Sequence, residues 1–316
     1  MNKTPLTYID GETLLTTVLP PIRFVVSGLL SQGLHVLAGA PKVGKSWLAL
    51  HLCLCVAKGE PIWGLPVTKG GALYICLEDS YSLIQNRLLD ITDSAPDNLF
   101  FSTMSEKLRS GLEEQIEEFL TKHPDTNLVV IDTLQRVRLV ANDANPYAND
   151  YRDLGVLKEL ADKHQIAIVL IHHLRKMNDD DPMNMISGTT GISGTADSSF
   201  VLRKDKRSAH TATLYCTGRD IEYRELSLEF DSAAHVWNLL SDSVTSEPMP
   251  SDSTIFSLSA FLDEQKVFPG TATELSEALK PYCGETLQPN CADEKAAPQP
   301  AGVVGDGNRS GNTAHA

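Results

Sequence analysis

The sequence is short of cysteine, of long apolar runs and of basic side chains. Its 316 residues include six cysteines, and no two of them form a C-x-x-C pair. Cys53 and Cys55 lie two positions apart on a predicted helix, so their side chains diverge and cannot easily share a metal ion. We therefore expect the cysteines to be small buried apolar residues of a protein in a reducing cytoplasm.

No stretch approaches the roughly 20 consecutive apolar residues that a membrane span needs. The N-terminus carries one lysine and no apolar run, which is not the pattern of a signal peptide. These two absences predict a cytoplasmic protein without a membrane partner.

Basic residues are outnumbered, with 27 basic and 41 acidic side chains and a formal net charge of −14. Half of this charge comes from residues 241–316, which hold 4 basic and 11 acidic side chains. A protein that coats nucleic acid regardless of sequence is expected to be basic, because it neutralises phosphates. Any contact with nucleic acid therefore has to come from a local basic patch, or from several subunits that each present a loop.

The most informative stretch is GAPKVGKS at residues 39–46, which fits the phosphate-loop pattern G-x-x-x-x-G-K-[ST]. A short apolar strand is predicted before it at 34–38, and a mostly apolar helix after it at 47–58. A strand that turns into a helix through such a loop directs backbone N–H groups and the positive helix end at one point. A chance match in an ordinary turn is the alternative, and the flanking strand and helix argue against it.

This loop predicts a site for a nucleoside triphosphate and for Mg²⁺. Lys45 can reach the β- and γ-phosphates, and the Ser46 hydroxyl can ligate the metal ion. The residues expected to contact the nucleotide are Gly39, Ala40, Pro41, Lys42, Val43, Gly44, Lys45, Ser46 and Trp47.

Apolar strands alternate with helices through most of the chain. Further strands are predicted at 72–77, 98–102, 128–131 and 166–171, and further helices at 83–89, 111–122 and 150–164. The helix at 111–122 has an apolar stripe beside a row of glutamates, which predicts one buried and one solvated face; the stripe is Leu112, Ile116, Phe119 and Leu120. The alternation predicts an α/β fold with a mainly parallel sheet flanked by helices. Close-spaced strands at 199–203, 211–217 and 225–230 predict antiparallel additions at one sheet edge.

The same pattern divides the chain into five parts. Residues 1–33 are an N-terminal lead-in and residues 34–240 are the α/β domain. Residues 241–253, rich in Ser, Asp and Pro, are a linker to a small helical module at 254–285. Residues 286–316 lack periodicity and are rich in Pro, Gly, Ala and Asn, which predicts a disordered tail.

Two acidic residues follow predicted strands. In a parallel sheet the C-terminal strand ends line the ligand crevice. Asp132 is therefore predicted to hold Mg²⁺ beside Ser46, and Glu78 to orient the water that attacks the γ-phosphate. A structural role is the alternative for both carboxylates. Asp79 and Ser80 are predicted to cap the next helix.

His172 and His173 follow the strand at 166–171. A polar side chain there can hydrogen-bond the γ-phosphate and report its loss to the next loop. Zinc binding is the alternative, but adjacent strand residues point to opposite faces and no third ligand stands nearby. The Gly-rich loop of about 175–190 is predicted either to move with the nucleotide state or to be a passive surface loop.

Arg219 lies in a G-R-D turn between two late strands. Such an arginine can enter a neighbouring subunit's site and neutralise charge in the transition state. A solvated turn arginine is the alternative.

In this order, GAPKVGKS, LED, VVIDT, LIHH and GRD resemble the RecA-like P-loop ATPases. Within them the chain is most similar to the RepA-type hexameric helicases of plasmids and mobile elements, the AAA_25 group. PPIRFVVSGLL and LVVIDTLQRVR also resemble that group, and the resemblance covers about residues 18–240.

The resemblance implies a Mg²⁺-dependent ATPase ring of six subunits that acts on DNA in mobile-element replication. It implies that Lys45, Ser46 and Asp132 bind MgATP and that Glu78 is the catalytic glutamate. His173 matches the γ-phosphate sensor, with His172 beside it and contacting the nucleotide. Arg219 matches the finger that acts in the neighbouring subunit. The loop of about 175–190 corresponds to the channel through which single-stranded DNA passes, and replication proteins are further expected partners.

Two features depart from that family. The channel loop carries three aspartates at 179–181 beside only Arg175 and Lys176, which is a poor surface for tracking phosphates. Residues 261–280 resemble the start of a winged-helix module, but the Pro/Gly-rich tail replaces its recognition helix and basic wing. An ATP-gated adaptor or loader without unwinding activity is therefore the alternative function. A small-molecule kinase fits less well, because the sequence has no Arg-rich lid.

Overall fold

The structure, a computed structural model, describes residues 8–19, 21–139, 146–175, 179, 181–186, 190–204, 206 and 209–244. The predicted helical module and tail, and the linker from residue 245 onwards, lie outside these residues. Parts of the predicted channel loop, including Lys176, Asp180 and Gly188, also lie outside them. No helix in the described ranges is long and apolar enough to cross a membrane.

The chain begins with a short helix and a small hairpin that precede the main sheet. Helix α1 covers Gly11–Thr16. Strands β1 (Phe24–Val26) and β2 (Leu30–Ser31) pair antiparallel. Hairpin residues Val26 and Leu30 are buried in the main core, so this part of the lead-in packs on the domain.

A nine-stranded sheet forms the centre of the domain. In space its strands follow the order β11-β10-β9-β8-β3-β7-β6-β4-β5. The bounds are β3 Gly33–Gly39, β4 Gly71–Cys76, β5 Leu99–Ser102, β6 Thr126–Asp132, β7 Ala167–His173, β8 Ser198–Arg203, β9 Thr211–Gly218, β10 Arg224–Asp231 and β11 Val236–Asp242. The six strands from β8 to β5 are parallel, and β9, β10 and β11 continue the sheet antiparallel. The predicted fold class is confirmed.

Two details of the sheet differ from the sequence prediction. Strand β8 was predicted as an antiparallel addition, but it pairs parallel with β3. The connection over residues 174–197 is long enough to return the chain to the edge where the parallel strands begin, as a parallel crossover requires. Strand β11 was not predicted; its sequence VWNLLSD alternates only weakly, and it extends the sheet to Asp242.

Helices cover both faces of the sheet and create two separate cores. Their bounds are α2 Lys45–Lys58, α3 Tyr81–Ile91, α4 Leu112–Lys122, α5 Leu134–Val137, α6 Pro146–His164 and α7 Thr190–Thr195, with a 3-10 turn at Pro182–Met185. One core lies around α2 and the other around α4 and α6. Leu112, Ile116 and Leu120 are the buried residues of α4, which confirms the predicted apolar stripe.

The four cysteines in the described part of the chain are free and buried. Burial raises the pKa of the Cys55 thiol to about 12, so it stays protonated at neutral pH. The prediction of small buried residues is confirmed for Cys53, Cys55, Cys76 and Cys216.

Candidate functional site

Strand register brings the predicted residues to one edge of the sheet. Gly39 at the end of β3 lies opposite His173 at the end of β7. Asp132 at the end of β6 lies opposite Cys76 of β4 on one side and Ile171 of β7 on the other. Since Glu78 follows Cys76 by two residues, the phosphate loop, both acidic residues and His173 share the C-terminal edge of the parallel strands.

The phosphate loop holds its lysine close to the backbone of the loop. Lys45 Nζ donates hydrogen bonds to the carbonyl oxygens of Gly39 at 2.8 Å and Ala40 at 3.0 Å. Burial lowers the pKa of Lys45 to about 8, while the nearby carboxylates of Asp132 and Glu78 oppose this shift. Helix α2 begins at Lys45, two residues earlier than predicted, so its first N–H groups point into the loop.

Asp132 accepts hydrogen bonds from two hydroxyl groups. Ser46 Oγ and Tyr74 OH donate to its Oδ2 at 2.8 and 2.9 Å. Burial raises the pKa of the Asp132 carboxyl, and the two hydrogen bonds act in the opposite direction. A hydroxyl and a carboxylate oxygen in contact at the end of a phosphate loop are hard oxygen ligands that suit Mg²⁺. Ser46 and Asp132 therefore fit the predicted metal site.

Glu78 lies at the mouth of an open cleft. Its Oε1 accepts a hydrogen bond from Thr133 Oγ1 at 3.2 Å and lies 3.5 Å from Nε of Arg136. The cleft has a volume of about 600 Å³, and His173 and Arg138 line it together with Glu78. The Glu78 side chain is about half exposed, so water can reach its carboxylate.

Asp79 and Ser80, which follow Glu78, make different contacts. Ser80 caps helix α3, since its Oγ accepts from the backbone N–H of Leu83 at 3.3 Å. Asp79 instead forms an ion pair with Arg87, two turns into the helix. The cap predicted for both residues thus belongs to Ser80 alone.

The two histidines at the end of β7 differ in their surroundings. His172 is buried, whereas His173 is partly exposed and lines the cleft of Glu78. The loop after them is closed at its base by a backbone hydrogen bond of 2.7 Å from Arg175 N–H to the Met185 carbonyl. Within it, Asp179 and Asp181 accept hydrogen bonds from the loop's own backbone N–H groups.

Trp47 and Trp237 form an aromatic cluster beside the phosphate loop. The Trp47 ring stacks on His235 with a centroid distance of 4.8 Å, and the Arg87 guanidinium lies 5.6 Å from it. The Trp237 Nε1–H donates to the Gly44 carbonyl at 3.2 Å. A Cβ atom at Gly44 would lie 2.8 Å from the Trp237 ring, so only glycine fits there.

Sequence reasoning missed several contacts of this site: Tyr74, Thr133, Arg136 and Trp237. The position of Tyr74 is predictable from the sequence, because it lies two residues before Cys76 and so its side chain is on the same face of β4. The position of Trp237 is not predictable, because β11 is far from the phosphate loop in sequence.

Arg219 is not part of this site within one chain. Gly218 pairs with Ser198 at the start of β8, and Ser198 pairs with His35 near the start of β3. Arg219 therefore lies at the edge of the sheet opposite the phosphate loop. Its side chain is 59% exposed and lies 3.4 Å from the Asp197 carboxylate.

A comparison of the sequence with protein-family models identifies the family of this chain. The family model AAA_25, described as an AAA domain, matches residues 6–179, which is more than half of the chain. The chain belongs to the AAA_25 family.

Two solved structures share the fold of this family member. One is described as an ATPase domain, with 14% identity and a TM-score of 0.55, covering 66% of this chain and 85% of that one. The other is a DnaB-like replicative helicase described with its interactions with primase, with 15% identity and a TM-score of 0.58, covering 73% of this chain and 67% of that one. The domain therefore has the RecA-like ATPase fold.

A curated relative matches over a short segment. The DNA repair protein XRCC3 of Mus musculus is 42% identical over 59 residues. That segment spans 19% of this chain and only 16% of the relative.

Proposed function

We propose that the chain hydrolyses ATP in a Mg²⁺-dependent reaction. The observation that carries this proposal is the convergence of Lys45, Ser46, Asp132, Glu78 and His173 at one edge of the sheet. The AAA_25 membership and the RecA-like ATPase fold support it.

Each of these residues has a role that its position supports. The Lys45 ammonium exchanges two backbone carbonyls for phosphate oxygens when ATP binds. Ser46 and Asp132 hold Mg²⁺, which when bound neutralises charge on the phosphates. Glu78 orients the attacking water as a general base, and His173 contacts the γ-phosphate from the other side of the cleft.

We infer that the ATP sites lie between subunits of a ring, as the resemblance to hexameric helicases suggests. Arg219 is far from the phosphate loop of its own chain, and its guanidinium is largely exposed. Such a position suits contact with the nucleotide of a neighbouring copy.

An experiment with mixed variants tests whether Arg219 acts in the ATP site of a neighbouring subunit. Arg219→Ala and Glu78→Gln are each expected to be inactive, and their mixture is expected to regain hydrolysis, because each subunit supplies what the other lacks. The matched control mixes Arg219→Ala with the double variant Glu78→Gln/Arg219→Ala, which has no Arg219 to offer and is expected to stay inactive. If the mixture is as inactive as that control, Arg219 does not act in the ATP site of a neighbouring subunit.

We propose further that ATP turnover moves single-stranded DNA, in a RepA-type helicase or translocase of a mobile element. Support comes from the sequence resemblance and from the fold shared with a DnaB-like replicative helicase. That structure includes interactions with primase, so a replication protein is a reasonable partner class here. The loop of about 175–190, which follows the sensor His173, is the proposed DNA-contacting element.

An ATP-gated adaptor or loader is the second candidate. The segment similarity to a DNA repair protein favours it, and so do Asp179 and Asp181, whose negative charges repel DNA phosphates. Strand displacement from a forked duplex separates the two, because an adaptor hydrolyses ATP without displacing a strand.

The proposal is tested by the ATP hydrolysis rate with and without single-stranded DNA, together with the mass in solution by light scattering. The wild type is expected to hydrolyse ATP, to be stimulated by DNA and to have the mass of six subunits. Lys45→Ala is the control for contaminating activity. A wild-type rate equal to that of Lys45→Ala contradicts the proposed function, whereas hydrolysis without stimulation or assembly favours the adaptor.

A further inference from the structure

The guanidinium of Arg219 has two partners on its own chain. Its Nη1 donates to Asp197 Oδ1 at 3.4 Å, and its Nη2 donates to the carbonyl oxygen of Gly194 in helix α7 at 3.2 Å. Both distances are long for hydrogen bonds from a charged donor, which are usually about 2.7–2.9 Å. The side chain is also 59% exposed. Arg219 is therefore held loosely at this place.

Asp197 is fixed by contacts that do not involve the Arg219 guanidinium. Its side chain is 7% exposed. Its Oδ2 accepts a hydrogen bond from the backbone N–H of Leu34 at 2.9 Å and lies 2.7 Å from Nζ of Lys158. Its own backbone N–H donates to the Leu34 carbonyl at 2.7 Å. Leu34 and Lys158 thus engage one carboxylate oxygen of Asp197, and Arg219 lies near the other.

Lys158 supplies a second positive charge beside Asp197. It lies on helix α6, and its Nζ is also 2.7 Å from the Asp162 carboxylate. Burial acts to lower the pKa of Lys158, but its hydrogen bonds with Asp162 and Asp197 outweigh burial and raise that pKa. The ammonium is therefore charged at neutral pH. As a result, the negative charge of Asp197 has a partner even without Arg219.

This second charge lowers the cost of releasing Arg219. Removing one partner of a buried ion pair is strongly destabilising, because the other charge is left unpaired away from water. When Arg219 leaves Asp197, the carboxylate keeps Lys158 and the Leu34 N–H as partners, so this penalty is avoided. The contact that is lost belongs to a largely exposed arginine, and such contacts are weak.

We propose that Asp197 and the Gly194 carbonyl form a resting socket for Arg219. Lys158 sets how readily Arg219 leaves this socket for the ATP site of a neighbouring copy. Asp197 and Lys158 are positioning residues, since they act through Arg219 and do not touch the nucleotide. The inference rests on the proposed role of Arg219 between subunits.

Mixed assemblies of full-length chains measure how well a subunit supplies Arg219. The donor subunit carries Glu78→Gln, so it is expected not to hydrolyse ATP in its own site. The acceptor subunit carries Arg219→Ala, so its site depends on an arginine from the donor. Each further substitution is made in the donor alone, and the rate of ATP hydrolysis by the mixture is compared with that of the unmodified donor.

Lys158→Gln in the donor is expected to lower the rate of the mixture by about tenfold, because Asp197 then retains Arg219 as its charged partner. Adding Asp197→Asn to this donor is expected to restore the rate to within about twofold, because the retaining charge is gone. A merely structural role of both residues predicts the opposite, a further loss. Lys163→Gln, at a lysine of α6 that pairs with Glu117, is the matched control and is expected to keep the rate.

A second donor variant separates the charge of Lys158 from its packing. Lys158→Arg keeps the positive charge and is expected to support the rate of the unmodified donor. A tenfold loss in Lys158→Arg as well as in Lys158→Gln would assign the effect to packing and overturn the socket.

The outcomes distinguish this inference from the proposed function. If the mixture with the unmodified Glu78→Gln donor does not hydrolyse ATP, the role of Arg219 between subunits fails, and the socket fails with it. If that mixture is active and Lys158→Gln leaves its rate unchanged, the socket alone is overturned. A loss in Lys158→Gln that Asp197→Asn does not reverse also overturns the socket alone.

Discussion

The Ser46 hydroxyl donates a hydrogen bond of 2.8 Å to the Asp132 carboxylate, which joins the first turn of α2 to the end of β6. These residues are 86 positions apart in the chain, and only the parallel sheet brings them together. The contact places a hydroxyl and a carboxylate oxygen together at the end of the phosphate loop, and these are the two groups that would hold Mg²⁺ in the proposed site.

Asp132→Asn is expected to lower ATP turnover by about 10- to 100-fold and to shift its dependence on Mg²⁺ to higher concentration, because the amide is a weaker metal ligand. The measurement is the hydrolysis rate as a function of Mg²⁺ concentration. Tyr74→Phe is the matched control: it removes a hydrogen bond to the same oxygen but keeps the carboxylate. It should lower the free energy of unfolding by about 1 kcal/mol and leave the Mg²⁺ dependence unchanged. An unaltered Mg²⁺ dependence in Asp132→Asn contradicts the metal site.

Trp237→Phe is expected to weaken ATP binding by about fivefold, the equivalent of one lost hydrogen bond of about 1 kcal/mol. The indole N–H donates to the Gly44 carbonyl, and the smaller phenylalanine side chain has no donor to replace it. Binding is measured by titration with a fluorescent ATP analogue. Trp63→Phe, which loses a hydrogen bond to the Trp237 carbonyl, serves as the control for a general loss of packing. Equal effects of both variants on affinity would mean that Trp237 does not position the loop.

Stability is expected to fall in mild acid because of His35. Burial lowers the pKa of His35 to about 4, and its Nε2 lies 2.8 Å from the Ser31 carbonyl oxygen. The unfolded chain protonates this side chain near pH 6.5, so stability is full above that pH and decreases as pH falls towards 4. The expected loss of unfolding free energy between about pH 7 and about pH 5 is about 2 kcal/mol.

Urea unfolding at a series of pH values measures this loss. His35→Gln keeps a side-chain donor but does not titrate, so its unfolding free energy should depend less on pH over the same interval. A slope equal to that of the wild type would assign the acid sensitivity to other groups.

The sheet and the phosphate loop were predictable because their signals are local. The apolar runs before Gly39 and Asp132 are buried strands, and the loop pattern between a strand and a helix has a well-defined geometry. Parallel pairing then places both strand ends at one edge, which is why the sequence alone predicts a shared site for Asp132 and Ser46.

What the sequence could not supply depends on long-range packing. Trp237 reaches Gly44 across 193 positions, and no pattern near either residue indicates this contact. The parallel direction of β8 follows from the path of the connection before it and not from the strand itself. The proposed role of Arg219 rests on the family resemblance. Its distance from the phosphate loop of its own chain follows from the strand register, which the sequence does not specify.

The hydrolytic role of Glu78 is the central claim, and one experiment tests it. ATP binding and ATP turnover are measured side by side for the wild type, Glu78→Gln and Asp79→Asn. Glu78→Gln is expected to bind ATP as the wild type does and to turn it over about 100- to 10,000-fold more slowly, because the amide cannot act as a general base. Asp79→Asn, with its carboxylate committed to Arg87 in the wild type, is expected to stay within about tenfold of the wild-type rate. Turnover by Glu78→Gln at the wild-type rate would contradict the account.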